Sequence, residues 1–418
     1  MPSAKRLTTS LRDIGYSFES AVADLVDNSI AAEASEVRIQ ITFSGENSVI
    51  LISDNGTGMS DDGITEAFRF GSRRTYEAGE LGRYGLGLKT ASLSQCRRLT
   101  AFTRDQKTGF VHARTLDLDF ITQVNEWLIT EPDHSELKEL AHETLRASGG
   151  TVVIWENLDR LLPNGSPNSA WARRKFAALG SRLHQHLGLV FHRFIAGENT
   201  DKIKIYINDE VVTAWDPYAR SERFTELVSE DSFEVDGAAA RGKVELKSYC
   251  LPARSQFSSP AAFEKAAGPR KWNRQQGIYV YRANRLVQWG GWDGIRTLDE
   301  HTKLARVSLD FDTELDDEFN INVAKMRVTL PSQLKKLVER SISEVCAKAD
   351  SRYRKDSHIR TAPRETPEIK EELSAQAIAD VGLTLKSVAI RSGHYRAFKE
   401  IAELMKQESP ELASQLGL

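Results

Sequence analysis

Residues 23–29 read A-D-L-V-D-N-S and place a carboxylate and an amide one helical turn apart. They lie within an apolar-periodic run, residues 18–31, whose spacing predicts a helix. Asp24 and Asn28 then share one helix face, about 6 Å apart along the axis. An amide oxygen beside a carboxylate can serve a magnesium ion and a water molecule together, because magnesium keeps most of its waters and takes few protein oxygens.

In this arrangement Asn28 would be the magnesium ligand, and Asp24 would accept the proton of an attacking water as a general base. Aspartate and asparagine are also ordinary residues of an exposed polar helix face. Taken alone, the stretch favours that simpler interpretation.

The second informative stretch is S-D-N-G-T-G-M, residues 53–59, which follows a short apolar strand predicted at residues 48–53. Gly56 and Gly58 allow positive φ and a close approach of the backbone to a ligand. A buried Asp54 beside them can accept a hydrogen bond from an exocyclic amine such as that of adenine. The alternative is an ordinary Asp-Gly turn after a strand.

The third stretch is G-R-Y-G-L-G-L-K-T-A, residues 82–91. Gly82, Gly85 and Gly87 precede a predicted helix, so free N–H groups and a positive helix end are available to phosphates, and Lys89 adds charge. The spacing is not that of the Walker loop, and the stretch does not follow the first strand of a βαβ unit. A flexible loop before a core helix is the alternative.

In this order, the three stretches resemble the motifs of the GHKL ATPases, the superfamily of gyrase B subunits, ninety-kilodalton heat-shock chaperones, histidine kinases and MutL. With F-R-F-G-S at residues 68–72, they look most like the MORC branch and its bacterial relatives. The resemblance implies ATP and Mg²⁺ as cofactors, with Asn28 on magnesium, Asp24 as base and Asp54 on adenine. The other nucleotide contacts that it implies are Gly56, Gly58, Gly82, Gly85, Gly87, Leu88, Lys89 and Thr151.

Asp24 departs from the family pattern, in which the general base is usually glutamate. Aspartate is one methylene shorter, which removes about 1.5 Å of reach. A misplacement of about 1 Å can lower a rate on the order of a hundredfold. We therefore expect slow hydrolysis, or a backbone shift that restores the distance, while ATP binding is unaffected.

The composition is that of a soluble globular protein, because 40% of the 418 residues are hydrophobic and 28% are charged. The net charge of −3 gives no global basic field for nucleic acid. Cys96, Cys250 and Cys346 form neither a metal-ligand spacing nor a disulfide framework, which fits a reducing cytoplasm. No apolar run approaches the ~20 residues of a membrane span, and the N-terminus lacks a signal peptide, so we expect a cytoplasmic protein.

The N-terminal pattern predicts an α+β fold in which one helical layer covers a mainly antiparallel sheet. The resemblance implies a GHKL (Bergerat) two-layer sandwich over residues 1–198. Strands are expected at residues 36–43, 48–53, 98–104, 110–116 and 151–155. Helices are expected at residues 18–31, 60–70, 132–148 and 171–195.

Residues 199–349 are predicted to be a second domain, with strands at 202–208, 242–249, 277–281 and 306–311. N-I-N-V-A-K-M-R-V at residues 320–328 and G-I-Y-V-Y-R-A-N-R-L at residues 277–286 resemble MutL/MORC-type transducer domains. That resemblance implies a ribosomal-protein-like β-α fold, and it implies that Lys325 reaches the γ-phosphate in a catalytic role. Residues 350–418 are expected to be a linker, polar over 351–367, and a short helical module.

The loop P-R-K-W-N-R, residues 269–274, combines basic residues with a tryptophan. Such a loop suits a nucleic-acid backbone with one stacking platform. A solvated loop with a packed Trp272 is the alternative.

The leading hypothesis is an ATP-gated switch in which two protomers close as a homodimeric clamp and hydrolysis reopens it. By resemblance, DNA and a separate nuclease or helicase are candidate partners, in repair, restriction or anti-phage defence. A chaperone-like ATPase on protein clients and a nucleotide-sensing scaffold with little turnover are the alternatives. A histidine kinase is disfavoured, because about twenty residues before the first motif are too few for a dimerising helical hairpin.

Overall fold

The computed structural model describes residues 12–13, 15–69, 87–133, 135–162, 166–198, 200–236, 241–321, 328–361 and 375–418. The chain divides into two compact units, Met1–Asp356 and Ser357–Leu418. The first unit contains two β-sheets with their helices, and the second unit is helical.

The first sheet has the strand order β4-β3-β5-β2-β1-β6-β7. Its strands are β1 (Glu36–Thr42), β2 (Val49–Asp54), β3 (Arg98–Arg104), β4 (Val111–Asp117), β5 (Gly150–Glu156), β6 (Lys204–Ile207) and β7 (Glu210–Val211). Neighbouring strands are antiparallel, except that β1 and β6 run parallel. The predicted mainly antiparallel sheet is therefore observed, and β1 and β2 are joined as a hairpin.

The helices of this part are α1 (Phe18–Ala31), α2 (Asp61–Phe68), α3 (Gly87–Leu93), α4 (Leu118–Val124), α5 (Glu136–Ser148), α6 (Ala170–Val190) and α7 (His192–Ala196). Helix α1 has the predicted bounds, and Ser17 caps its N-terminus, because the Ser17 hydroxyl accepts a hydrogen bond from the Ser20 amide at 3.2 Å. The single helix predicted over residues 171–195 is two helices, because α6 ends at Val190 and α7 begins after Phe191.

One helical layer does not cover the whole sheet. Side chains alternate between the two faces of a strand, so Leu51 points away from Ile50 and Ile52. Leu51 joins Phe102 in a separate buried cluster under helix α5. Helix α5 therefore covers the face opposite α1, and the two-layer prediction is incomplete here because both faces of β2, β3 and β5 are apolar.

The second sheet has the strand order β11-β10-β12-β9-β8. Its strands are β8 (Glu226–Asp236), β9 (Arg241–Cys250), β10 (Gly277–Arg282), β11 (Arg285–Trp289) and β12 (Ala305–Phe311). The associated helices are α8 (Pro260–Ala266), α9 (Lys271–Gln275) and α10 (Ser332–Thr361). Strands β10 and β11 are joined by Ala283 and Asn284, both at positive φ, as a tight hairpin requires.

Helix α10 continues to Thr361, through the start of the stretch 351–367 that the sequence predicts as a linker. Arg352, which lies in this polar stretch, is anchored on the second sheet by its guanidinium. Nη1 donates to the carbonyls of Cys250 and Leu251 at 2.9 and 2.8 Å, and Nη2 lies 2.8 Å from a carboxylate oxygen of Glu226. The linker prediction is wrong for residues 351–361, and residues 362–374 lie outside the described residues.

The second unit contains helices α11 (Ala375–Arg391), α12 (Tyr395–Glu408) and α13 (Pro410–Gln415). Within the described ranges, no helix in either unit has the length and apolarity that a membrane crossing requires.

A buried histidine lies between the first sheet's helices and the second sheet. His192, 1% exposed, places Nε2 at 2.8 Å from the hydroxyl of Tyr281 on β10. Its Nδ1 is buried and has no hydrogen-bond partner among the described residues. Burial disfavours the charged imidazolium and lowers the pKa of His192 to about 3. The folded protein therefore holds this side chain neutral.

This burial predicts a pH-dependent stability. The unfolded chain binds a proton at His192 near its ordinary pKa of about 6.5, whereas the folded chain does not. Above that pH, His192 does not lower the free energy of unfolding. As the pH falls below it, protonation of the unfolded chain lowers the free energy of unfolding by up to about 1.4 kcal/mol per pH unit. In urea unfolding at pH 7.5 and pH 5.0, we expect His192→Gln to lose less stability on acidification than the parent protein.

The matched control is His184→Gln on helix α6. His184 is only half-buried, with Nε2 at 3.1 Å from the Val211 carbonyl. It should show the parent's pH dependence. Equal pH dependence in the parent protein and in His192→Gln would contradict the prediction.

Candidate functional site

Helix α1 carries three polar residues on one face. Asp24, Asp27 and Asn28 are separated by three and four positions, so their side chains project in neighbouring directions. Asp24 and Asp27 are 2% and 1% exposed, whereas Asn28 is exposed. The helix therefore presents one accessible amide beside two enclosed carboxylates.

Asp24 is held by a tyrosine from the chain that enters helix α1. The Tyr16 hydroxyl donates to Asp24 Oδ2 at 2.7 Å. Burial and then the Asp24 charge raise the pKa of Tyr16, so the phenol keeps its proton and remains a donor. The start of helix α3 also approaches this carboxylate, since a Cβ on Gly87 would lie 3.8 Å from Asp24 Oδ2.

A cation from the second sheet completes this group. Arg285, the first residue of β11, places Nε at 2.9 Å from Asp27 Oδ1 and Nη2 at 3.8 Å from Asp24 Oδ1. Arg285 is 3% exposed. Two buried carboxylates of one sheet's helix therefore share one buried guanidinium from the other sheet.

Sequence reasoning did not identify Tyr16, Asp27 or Arg285 as site residues. The helical spacing contained the signal for Asp27, because it lies one turn from Asp24. No local pattern indicates that Arg285 reaches residues more than 250 positions earlier in the chain; the separation from Asp27 is 258.

Asp54, at the end of β2, joins three parts of the site. Its Oδ1 accepts from the amides of Gly56 and Thr151 at 3.0 and 3.2 Å. Its Oδ2 accepts from the Ser29 hydroxyl at 3.0 Å. Burial raises the pKa of Asp54, and these three hydrogen bonds oppose that rise. The structure thus brings together Asp54 and Thr151, which are 97 positions apart, and connects both to helix α1.

The Thr151 side chain belongs to a hydroxyl network behind Asp54. Its Oγ1 lies 3.0 Å from Thr103 Oγ1, and the latter accepts from the Met59 amide at 2.9 Å. This network fixes the loop after β2 against strands β3 and β5.

Gly56 and Gly58 approach protein backbone closely. A Cβ on Gly56 would lie 2.6 Å from the Ala32 carbonyl oxygen. Gly58 has φ +68°, and its Cβ would lie 1.9 Å from the Arg104 carbonyl oxygen. Both glycines are therefore required by the packing of this loop, which is a reason for them independent of any ligand.

Lys89 is fully buried and donates from Nζ to the carbonyls of Ala67 and Arg69 at 2.9 and 2.7 Å. Burial lowers the pKa of Lys89 to about 8, and Glu66 opposes the change. Leu88 is half-buried against the main core. In this structure Lys89 thus links helix α3 to the end of helix α2.

Three predicted site residues, Gly82, Gly85 and Lys325, lie outside the described residues.

Trp272 is a packed residue. Its ring stacks on Phe263 with centroids 4.5 Å apart, and Phe257 meets it edge-on at 6.0 Å. Of the two interpretations of the loop 269–274, the packed tryptophan is the observed one, and no nucleic-acid stacking platform is formed by this ring.

Comparisons with known proteins find similarity over part of the chain. Residues 16–151 match the family model described as "Histidine kinase-, DNA gyrase B-, and HSP90-like ATPase". The chain is similar to ATPase MORC2B of Mus musculus, at 31% identity over 35% of this chain and 18% of that protein. It is also similar to ATPase MORC2 of Homo sapiens (30%, over 35% and 18%) and ATPase morc-1 of Caenorhabditis elegans (32%, over 22% and 11%). The chain spans less than a fifth of the length of these relatives.

Gly150 provides a direct test of the Asp54 geometry. It has φ +74°, and a Cβ there would lie 2.0 Å from the Asp54 carbonyl oxygen and 2.7 Å from Asp54 Oδ1. Neighbouring Gly149 also has φ +74°, but a Cβ there would meet nothing within 4 Å. Gly149→Ala should cost only backbone strain, about 1–3 kcal/mol. Gly150→Ala should cost roughly 1–3 kcal/mol more, because Asp54 must move.

The measurement is the free energy of unfolding from urea titrations. The two variants are compared when their slopes of free energy against urea concentration, the m-values, are equal. Equal destabilisation by the two alanine substitutions would show that Asp54 does not approach residue 150 as described.

Proposed function

We propose, from the premise that residues 16–151 form a GHKL-type ATPase domain similar to that of the MORC ATPases, that this protein binds ATP with magnesium and hydrolyses it slowly. One observation carries the proposal. Ser29, the neighbour of Asn28, bonds Asp54 at 3.0 Å, so the helix with the carboxylate–amide pair and the turn after β2 converge on one place. Such convergence of separate motifs is what a single nucleotide site requires.

Asp54 is the residue proposed to bind adenine. Its carboxylate is fixed by Ser29, Gly56 and Thr151, so it can accept a hydrogen bond from the adenine amino group without rearranging. Thr151 would lie behind the base, held by its contact with Thr103.

The exposed amide oxygen of Asn28 would hold magnesium. This fits the donor set of α1, because magnesium is usually bound by one or two protein oxygens together with substrate phosphates and water. When bound, the ion neutralises charge on the phosphates. Gly82, Gly85, Gly87, Leu88 and Lys89 are proposed to contact the nucleotide, as the resemblance implies.

Asp24 is the proposed general base. It would take a proton from water as the water oxygen bonds to the γ-phosphorus and the bond to the ADP oxygen breaks; the proton then returns to solvent. Tyr16 orients the carboxylate from one side. Aspartate has less reach than glutamate, and its Oδ2 is already engaged by Tyr16, so turnover should be slow.

The finer proposal is a conformational switch. The proposed domains are residues 1–198 (ATP binding), 199–349 (transducer) and 350–418 (helical module), except that strands β6 and β7, at residues 204–211, pair within the first sheet and so belong with the ATP-binding part. Lys325 would reach the γ-phosphate from the transducer. A ligand shifts such an equilibrium only through contacts made in one state, and a γ-phosphate–lysine contact satisfies that condition. Two protomers would close as a clamp on DNA, with a nuclease or helicase as partner, in repair, restriction or anti-phage defence.

A nucleotide-sensing scaffold is the second candidate. Asp24 is shorter than the family's glutamate and already accepts a hydrogen bond from Tyr16, which favours ATP binding over turnover. A chaperone-like ATPase would use the same cycle on protein clients.

The two aspartates should separate binding from hydrolysis. Asp54→Asn keeps the shape of the side chain but removes its charge, so ATP affinity should fall about 10- to 100-fold, the range of hydrogen bonds to charged groups. Asp24→Asn should bind ATP normally while turnover falls by about a hundredfold or more, as general-base loss predicts. The measurements are calorimetric binding of a non-hydrolysable analogue and steady-state phosphate release.

Asp62→Asn is the control, since Asp62 is exposed at the start of α2. It should leave both quantities unchanged. Turnover that survives in Asp24→Asn would remove Asp24 as the base, and measurable binding without turnover in the parent would favour the scaffold.

The clamp predicts a change of mass. Light scattering should report a monomer without nucleotide and a dimer with a non-hydrolysable ATP analogue. The dimer should retain circular DNA in high salt and release it once the circle is cut, because retention by a closed ring is topological. An unchanged mass with the analogue would exclude the clamp, and equal loss of circular and linear DNA would exclude DNA as its client.

A further inference from the structure

Arg285 connects the second sheet to both carboxylates of helix α1. The guanidinium lies 2.9 Å from Asp27 and 3.8 Å from Asp24, and all three side chains are at most 3% exposed. Removing an ion pair from water costs free energy, which the attraction between the charges offsets only when their geometry is good. The burial of Arg285 is therefore weak evidence that it stabilises the fold. Its position is more informative, because the contacts include the carboxylate proposed as the base.

A second buried arginine on the same hairpin pairs with a different carboxylate. Arg282, the last residue of β10, is 2% exposed and pairs with Asp316 through Nε at 2.6 Å and Nη2 at 2.7 Å. Asp316 follows β12 and belongs to the second sheet's side of the molecule. Arg282 and Arg285 thus have similar burial and charge, but Arg282 pairs with Asp316 after β12, whereas Arg285 pairs with Asp27 on α1.

The other end of β11 contacts Val328, which follows the predicted Lys325 by three positions in the sequence. Gln288 Oε1 accepts from the Val328 amide at 3.0 Å. Gln288 is three residues from Arg285, or about 10 Å along a strand. Strand β11 therefore contacts Asp27 and Asp24 at its first residue and the chain around Val328 near its last.

We propose that Arg285 is a positioning residue for Asp24, and that it couples the rate of hydrolysis, rather than the affinity for ATP, to the placement of β11. This inference rests on the proposed function. Tyr16 bonds Asp24 Oδ2, the guanidinium attracts Asp24 Oδ1 from 3.8 Å, and Asp27 holds the guanidinium in place at 2.9 Å. A displacement of β11 moves the guanidinium, and with it the base.

The positive charge of Arg285 has a consequence that a merely structural role would not have. A neighbouring cation favours the carboxylate form of Asp24, so its removal must raise the pKa of that group. A smaller fraction of Asp24 is then ionised at a given acidic pH. The acidic limb of the kcat–pH profile should therefore move to higher pH when the charge is lost and return when a cation is restored.

The experiment uses the full chain and compares Arg285→Gln, Arg285→Lys and Arg282→Gln. We expect Arg285→Gln to lower kcat about 10- to 100-fold, as a base displaced by about 1 Å would. Binding of a non-hydrolysable ATP analogue should stay within about twofold, since the residue acts on Asp24 and not on the nucleotide. The acidic limb should move upward in Arg285→Gln and lie near the parent's position in Arg285→Lys.

Arg282→Gln is the matched control for the loss of a buried, paired arginine. It should lower the urea midpoint as Arg285→Gln does but leave the acidic limb in place. Gln288→Ala tests the coupling through β11 and should lower kcat by about 2- to 5-fold without moving the limb, because geometry changes but charge does not.

Each outcome decides the proposal. An Arg285→Gln protein with the parent's kcat and pH profile, or an Arg282→Gln protein with the same limb shift, overturns the role of Arg285. Parent kcat in Gln288→Ala overturns the coupling through β11. If Arg285→Gln does not fold, undiminished kcat in Arg285→Lys overturns the positioning role, because lysine keeps the positive charge but not the geometry of the guanidinium. A parent protein that binds no ATP analogue overturns the proposed function itself, which is a distinct result.

Discussion

Two carboxylates on the inner side of helix α1 constrain how the first unit can be assembled. Asp24 and Asp27 are almost completely enclosed, and an enclosed carboxylate requires hydrogen-bond donors or a cation. Tyr16 supplies a donor from the chain before the helix, and Arg285 supplies a cation from the second sheet. The first sheet's principal helix is therefore electrostatically incomplete without the second sheet, which gives a physical reason for the two sheets to act together.

The same principle places the loop after β2. Asp54 is satisfied by donors from three elements, namely Ser29 on α1, Gly56 in the loop and Thr151 on β5. Gly150 must lack a side chain because the backbone of Asp54 occupies the space where a Cβ would stand. The donors that satisfy Asp54 and the absence of a side chain at Gly150 are thus two parts of one arrangement.

Several residues serve the fold as well as the proposed chemistry. Gly56 and Gly58 are sterically required by Ala32 and Arg104, so their presence alone does not indicate a nucleotide. Lys89 holds the carbonyls at the end of α2 in this structure, with its pKa lowered to about 8 by burial. A lysine of this kind can exchange carbonyl partners for an anionic one only if the surrounding backbone moves.

Local sequence patterns account for the elements whose cause lies within a few residues. The bounds of α1 and β3, the hairpin of β1 and β2, and the proximity of Asp24 to Asn28 follow from periodicity, turn residues and helical spacing over a few positions. The resemblance to the ATPases also needed only these short stretches. Three features instead depend on contacts between distant parts of the chain: the pairing of Asp27 with Arg285, the second sheet face covered by α5, and the helical start of the predicted linker. Those outcomes depend on which buried charges and apolar faces meet across long separations, and no local pattern encodes that pairing.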